Sequence, residues 1–271
     1  MSDGLSPQHC SVIVATYNAP TRLALVLKAL AEQDYAGPFE VVVADDGSDP
    51  PTAKLVAELA ERASFPLIHA WHEDRGFRLA ATRNHGVSKS SGDYLIFLDG
   101  DCLVGPNFLS GHVRLAESGH MVSGRRVRLR EGYTDRLLER QELPPGDRTW
   151  LRRRLNGDLD NIRPLLYFPF LRYRKATRWR GVLSGNLGLW REDFERVNGY
   201  DESYVGWGYE DHDLAVRLIR SGIRRKEGRS DVPIFHLWHP RTDRSAKRRN
   251  RDRLEDVLRE DYTWAPVGLK K

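Results

Sequence analysis

Short apolar runs alternate with amphipathic stretches through the first hundred residues. Residues 11–16 (SVIVAT) and 39–44 (FEVVVA) are unbroken and rich in β-branched side chains, the pattern of strands buried on both faces. Between them Pro20 opens a segment in which Leu23, Val26, Leu27 and Leu30 recur at helical spacing, a position that suits proline. A second such segment carries Leu55, Val56, Leu59 and Ala60 on one side. Residues 67–71 read as a third strand, 79–87 as a helix and 94–98 as a fourth strand. Repeated βα units of this spacing predict an α/β fold with right-handed crossovers and a mostly parallel, Rossmann-like sheet flanked by helices.

The residues that packing does not explain lie just past the strands. Thr16, Tyr17 and Asn18 follow the first, Asp45, Asp46, Gly47 and Ser48 the second, and Asp99, Gly100 and Asp101 the fourth. In an open α/β sheet these ends converge on one rim, where ligands bind. Gly100 lets backbone and ligand come close, and carboxylates there suit a hard divalent cation, which binds nucleotide diphosphate oxygens in turn. Taken alone, Asp-Gly-Asp is equally an ordinary turn. The Gly-x-Gly-x-x-Gly turn of dinucleotide sites is missing after the first strand, as is a Gly-Lys-Ser/Thr phosphate loop. A nucleotidyltransferase would want a Gly-rich turn with Arg and Lys where Thr16-Tyr17-Asn18-Ala19-Pro20 stands.

Chemistry also gathers in the C-terminal half. Residues 206–211 read Gly-Trp-Gly-Tyr-Glu-Asp: two glycines allow a tight turn, Trp207 offers a flat face to a sugar ring, and Glu210 and Asp211 put carboxylates beside it. An attacking hydroxyl needs such a base within hydrogen-bond reach. Ser184, Gly185 and Asn186 form a small-residue turn, in which Asn186 could equally be an unused loop amide. His236 and His239 follow what reads as a short strand, and either imidazole suits a borderline divalent metal.

The 271 residues are enough for one large α/β domain. No run approaches the roughly 18–20 apolar residues of a membrane span. The first ten residues lack the basic start and apolar run of a secretory signal, which predicts a cytoplasmic protein. Cys10 and Cys102 are read as free thiols. Charge is uneven: residues 125–180 hold fifteen Arg and one Lys against seven acids, although the whole chain is only +5. Such a block meets phosphates of a lipid-linked acceptor, an anionic membrane surface or nucleic acid, or is simply a solvated face. The apolar island 165–171 (LLYFPFL) inside it either docks at a membrane or packs against the sheet. A second basic run, Arg241, Arg244, Lys247, Arg248, Arg249, Arg251 and Arg253, precedes a helix-like stretch, LEDVLRED.

SVIVATYN, VVVADDGSD, RGFRLAATRNHG (75–86) and YLIFLDGD (94–101) resemble, in order, the successive motifs of family 2 glycosyltransferases of the GT-A fold. GWGYED resembles the acceptor-site motif of the galactosyltransferase-type C-terminal region in that fold. The resemblance covers roughly residues 10–127 and 180–240, with a basic insertion (128–180) between them and a basic tail (241–271), all within a single domain. It implies that Thr16 and Tyr17, with Asn18, line the base and ribose pocket, and that Asp46 or Asp45 accepts a hydrogen bond from the uracil imide. Arg83 would lie near the nucleotide, Asn84 would hold its loop, and Asp99 with Gly100 would face the ribose. Asp101 would bind Mn2+, with Mg2+ as the alternative, and His236 or His239 would complete the metal site. Asp211 would be the base and Glu210 a sugar contact, with Asp213 supporting the helix start. Trp207, Gly208 and Asn186 would bind sugar, and one or two side chains of the tail would close over the diphosphate.

The implied reaction is inverting, metal-dependent transfer of a hexose or N-acetylhexosamine from a UDP-sugar to a hydroxyl of a carbohydrate, lipid-linked or other acceptor, in glycan or polysaccharide biosynthesis. No covalent nucleophile stands out for a double displacement. A non-catalytic nucleotide-sugar or glycan-binding module on the same fold would bind without turnover. A nucleic-acid-binding protein using the Arg-rich block would leave the acidic rim unexplained, so no nucleic acid is expected as partner.

Overall fold

The four apolar runs pair as parallel strands in the computed structural model, which describes residues 6–144, 150–166, 169–240 and 242–270. β1 (Cys10–Thr16), β2 (Phe39–Asp45), β3 (Leu67–Trp71) and β4 (Tyr94–Asp99) are linked by α1 (Pro20–Ala31), α2 (Pro50–Ala60) and α3 (Leu79–Ser88). Then follow β5 (Cys102–Val104), α4 (Phe108–Leu115), β6 (His120–Arg128), α5 (Glu131–Arg140) and α6 (Trp150–Leu155). β7 (Asn186–Trp190), α7 (Arg191–Arg196), α8 (Glu210–Arg220), β8 (Arg224–His236) and α9 (Lys247–Arg259) complete the elements used below.

Among the described residues the sheet has eight strands, ordered β3-β2-β1-β4-β7-β6-β8-β5. β1 to β4 are mutually parallel, β7 runs antiparallel to β4 and β6, β8 is parallel to β6, and β5 pairs antiparallel with β8. The chain leaves β3 at one edge and returns as β4 on the far side of β1. That reversal opens a crevice between the C-terminal ends of β1 and β4, where Ala15 pairs with Asp99.

The strict alternation of strand side chains separates two cores. Val12, Val14, Val41, Val43, Ile96 and Leu98 pack with Leu23, Leu27 and Leu30 of α1 and Phe108 and Leu109 of α4 on one face. Ile13, Val42, Ala44, Leu95 and Phe97 pack with Val87, Phe194, Leu214 and Leu218 on the other.

Three expectations change. The strand before His236 runs 13 residues, not a few; its buried positions include Arg225, Lys226 and Glu227, so no apolar run advertises it. The basic run of the tail does not precede a helix but forms its first turns, since α9 starts at Lys247; Arg241 lies outside the described residues. The 128–180 stretch wraps β6 and β8: Leu129 bridges to Leu159, and Trp150 stacks on Phe235 with ring centroids 4.5 Å apart. Of the apolar island, Leu165 packs against the core whereas Leu166 and Phe170 are exposed; Tyr167 and Phe168 lie outside the described residues. No helix among the described residues is long and apolar enough to cross a membrane.

The seat of α3 on the sheet matters most for the crevice, and it depends on Gly86. A Cβ there would stand 2.8 Å from both Ala44 Cβ and Ile13 Cγ2. Gly86→Val is expected to force helix and sheet apart and to lower stability by about 1–3 kcal/mol. A wild-type urea midpoint in that variant would contradict this packing.

Candidate active site

The donor-side rim is built from three strand ends laced together. Tyr17 is 47% exposed and its hydroxyl donates to Asp74 Oδ2 at 2.9 Å. Asn18, held at φ 44°, accepts from Asp49 N through its side-chain Oδ1 at 2.8 Å, and its backbone N donates to Ser48 Oγ at 2.8 Å. Thr16 is buried, with an Oγ1 that lacks a protein partner. Gly47 (φ 89°) lets that loop pass: a Cβ would meet Asp74 N at 2.3 Å.

Asp45 and Asp46 differ in what they have left to offer. Asp45 is fully enclosed, accepting from Ser48 N at 2.8 Å and standing 2.8 Å from His69 Nε2. Asp46 accepts from Arg78 N at 2.8 Å and from the Thr82 hydroxyl at 2.9 Å, and is 4% exposed. Burial pushes the Asp46 carboxyl up against the pull of those hydrogen bonds.

Arg83 organises the centre. It sits on α3, 2% exposed, with Nη2 2.8 Å from Asp99 Oδ1 and Nη1 3.4 Å from Glu210 Oε1 and 3.5 Å from Asp211 Oδ1. The guanidinium also lies 5.4 Å from the Tyr200 ring centroid. Burial alone would lower its pKa, but Tyr200 and the three acids outweigh that and raise it. Burial pushes the Asp99 carboxyl up, with Arg83 opposing and Asp101 and Asp211 reinforcing. Glu210 is pushed well above the ordinary carboxylate range by burial and by Asp211 beside it, again against Arg83. Of the adjacent pair, Asp211 is the more exposed.

Asp101 lies on the other side of Asp99. The β5–β8 pairing sets His236 opposite Cys102, and Leu237 N donates to Asp101 O at 2.9 Å. As a result His239 Nε2 stands 3.2 Å and His236 Nε2 3.5 Å from Asp101 Oδ2. Burial disfavours the charged Asp101, yet the His239 hydrogen bond and the His236 charge hold it at about 2. Neighbouring corners of an octahedral ion with bonds of about 2.1 Å lie about 3 Å apart; the ligand atoms of Asp101, Cys102 and His236 all lie within 4.8 Å of one another, a cluster that suits one divalent ion, and His239 approaches it from the Asp101 side. His239 Nδ1 donates to Pro240 O at 2.7 Å, which turns Nε2 toward the site as metal ligands require. Cys102 is close, but burial and then Asp101 and Asp99 keep its thiol protonated, and it donates to Asp101 Oδ1 at 3.2 Å.

The acceptor-side loop is conformationally unusual. Gly206, Gly208 and the non-glycine Tyr209 have φ of 78°, 108° and 75°, and they deliver Glu210 and Asp211 as the first turn of α8. Backbone in this region costs about 1–3 kcal/mol for a side-chain residue and persists only when neighbours enforce it. Here Gly206 N donates to Phe77 O at 2.8 Å, and Arg249 and Asn250 of α9 donate to Val205 O at 2.8 and 3.2 Å. Arg244 covers one face of Trp207 at 4.5 Å.

Two side chains have other roles than the sequence suggested. Asn186 does not reach the rim: its Oδ1 stands 3.1 Å from His112 Nε2 and its amide donates to Val232 O at 2.7 Å, inside the sheet. The β4–β7 register, which pairs Asn186 with Leu98, turns it there. Its neighbour Gly185 is the residue at the site, where a Cβ would lie 2.3 Å from Asp99 Oδ2. Asp213 does not cap α8 but pairs, fully buried, with Arg217, which also donates to Val197 O and Gly199 O. Asn250, which donates to the 205–206 backbone, is a site-supporting residue that sequence reading missed, because it sits inside a basic run.

The Glycosyl transferase family 2 model matches residues 11–195, and the model described as the N-terminal domain of galactosyltransferase matches residues 168–239. Both extend into the basic stretch that motif reading left unassigned. Validoxylamine A glucosyltransferase of Streptomyces hygroscopicus subsp. jinggangensis (strain 5008) is 33% identical over 229 residues, covering 79% of this chain and 52% of the relative. The chain thus spans about half the length of that curated relative. Among solved structures, the mannosyltransferase PcManGT of Pyrobaculum calidifontis in complex with GDP-Man and Mn2+ superposes with a TM-score of 0.59 at 21% identity, covering 94% of this chain and 65% of the other. GalNAc-T7 with UDP, GalNAc and Mn2+ gives 0.57 at 16% identity, covering 88% and 45%. These structures carry the fold, a GT-A architecture.

Removing Arg83 leaves three acids crowded without their cation. Arg83→Met is expected to lose about 3–5 kcal/mol at neutral pH. Because the acids then bind protons more tightly folded than unfolded, the deficit should shrink on acidification and grow as pH rises. Urea midpoints of both proteins at pH 5 and pH 8 check this; a pH-independent deficit would refute the charge-based role.

Proposed function

The chain belongs to glycosyl transferase family 2, and we propose that it transfers a hexose or N-acetylhexosamine from a UDP-sugar to an acceptor hydroxyl in glycan biosynthesis. The observation that carries this reading is the Arg83 cluster, in which a donor-side acid, Asp99, and the acceptor-side pair Glu210 and Asp211 meet on one guanidinium. A binding module has no need to bring these two sets of acids together.

In this reading Tyr17 and Thr16 frame the base and ribose, with Asn18, Asp45 and Asp46 shaping the pocket and Asp46 the reader of the uracil edge. Asp99 and Gly100 border the ribose and diphosphate. Asp101 with His236 or His239 would hold Mn2+, which would supply Lewis-acid stabilisation of the leaving diphosphate. Trp207 presents its uncovered face to the acceptor sugar, and Gly208 lets it approach the backbone. Asp211 takes the proton of the acceptor hydroxyl as that oxygen attacks the anomeric carbon. Glu210 contacts the sugar. One in-line displacement inverts the anomeric configuration. Arg83, paired with both, offsets the mutual repulsion of Asp99 and Asp211, so that both stay within reach of substrate.

Calorimetric titration of UDP, with GDP, CDP and dTDP as controls, separates the parts of this reading. UDP binding should require Mn2+ and vanish in Asp101→Ala. Asp211→Asn should keep UDP binding while transfer falls by about 10²–10⁴-fold. Binding without any transfer in the parent protein would favour the non-catalytic module, and the absence of nucleotide binding under every condition would sink the transferase reading.

A further inference from the structure

The cluster around Glu227 has no part in the chemistry above. Glu227 on β8 is wholly buried and has four cations within 4 Å: Arg225 Nη2 at 2.8 Å, Arg125 Nη2 at 3.0 Å, Arg229 Nε at 3.7 Å and Lys175 Nζ at 3.8 Å. One carboxylate therefore faces an excess of three positive charges. Two of the cations are spent. Arg125 grips Glu227 through Nε and Nη2 at 3.1 and 3.0 Å, and Arg225 also donates to the carbonyls of Arg178, Arg180 and Gly181.

Lys175 and Arg229 are not spent. Each reaches Glu227 at ion-pair distance without a hydrogen bond, and their side chains are 28% and 25% exposed. Arg229 Nε is buried with no acceptor. Its backbone sits at φ 30°, beside the irregular β6–β8 register at Gly124, so strain is maintained where this side chain is aimed. Burial lowers the Lys175 pKa; Glu227 opposes, and Arg125, Arg225 and Arg229 add to the lowering. A purely structural bridge would match its cations with acids. This one leaves two partly exposed cations without a hydrogen-bonded acid.

The cluster borders the acceptor side of the cleft. Strand alternation separates Arg126, whose charge acts on His236, from Arg125, which faces Glu227. A Cβ on Gly181 would lie 3.8 Å from Arg125 Nη1, and four residues later Gly185 touches the Asp99 carboxylate. His212, next to Asp211, meets the Trp179 ring edge-on at 5.3 Å and is influenced by Arg180 and Arg225. The turn 179–185 thus has the cation cluster at one end and Asp99 at the other.

We propose that Lys175 and Arg229, backed by Arg125, bind an oxyanion carried by the acceptor, a carboxylate or a phosphate, and so orient its hydroxyl toward Asp211. The inference rests on the transferase reading for its acceptor. Guanidinium and ammonium donors together suit either anion.

The test compares 4-nitrophenyl β-glucuronide, the 6-phosphate of 4-nitrophenyl β-glucoside and the neutral glucoside by calorimetry on protein saturated with UDP and Mn2+. At least one anionic ligand should bind about tenfold tighter than the neutral one, an advantage that weakens at high salt. The tighter of the two identifies the anion as carboxylate or phosphate. In Lys175→Ala/Arg229→Ala, where Arg125 and Arg225 still neutralise Glu227, the advantage should disappear while UDP affinity shows that the donor site is intact. Equal affinity for all three ligands, or an advantage that survives the double variant, would overturn the proposal. If UDP does not bind at all, the transferase reading fails separately, and the same comparison on UDP-free protein still decides whether the cluster selects anions.

Discussion

Everything at the cleft depends on one buried cation. Carboxylates brought together away from water repel strongly, because the low dielectric that surrounds them weakens no charge. Arg83 makes the gathering of Asp99, Glu210 and Asp211 tolerable, and it does so from a helix whose position is fixed by direct contact with β1 and β2. Its five donors reach several acids at once, which a lysine in the same place could not match. Even so, one guanidinium against three acids leaves the crevice negative, with Asp101 adding to it. A divalent cation is then a complement to the protein's own charge.

The neighbouring residue performs the matching mechanical task. Asn84 donates to Tyr200 O and Glu202 Oε1 and accepts from Tyr200 N, so α3 grips the backbone just ahead of the strained 206–209 loop. α9 clamps the loop from outside through Arg249 and Asn250. Consecutive side chains of α3 thus fix the electrostatics and the position of the same acids. The left-handed turn at Gly206, Gly208 and Tyr209 is held at both ends, as a loop that presents a base with little freedom must be.

Strands β1 to β4 were legible in the sequence because burial on both faces demands unbroken apolar runs, and the rim residues were legible because acids and aromatics just past such runs have no packing reason to be there. What resisted reading was polarity turned inward. The buried residues of α3 include Thr82, Arg83 and Asn84, so its outline is that of a surface helix. β8 hides Arg225, Lys226 and Glu227 the same way. Asn186 was misread because a Ser-Gly-Asn turn looks solvent-facing until strand register decides which way the amide points. In each case a partner distant in sequence satisfies the polar group: Glu210 for Arg83, Arg125 for Glu227, His112 for Asn186. Local periodicity carries no trace of such partners.

The uneven charge along the chain has a similar resolution. The Arg-rich stretch is not merely a solvated face. Arg125 and Arg172 reach across to acids of β8, at Glu227 and Asp231, and the backbone carbonyls of 178, 180 and 181 are taken by Arg225 in return. Arginine stitches a segment with few apolar residues onto the sheet, where hydrophobic burial alone would hold it weakly. Lys175 and Arg229 keep part of the remaining surplus at Glu227, while Asp99, Glu210 and Asp211 gather on Arg83, so the way β4, β6 and β8 share one sheet sets where each sign of charge lies.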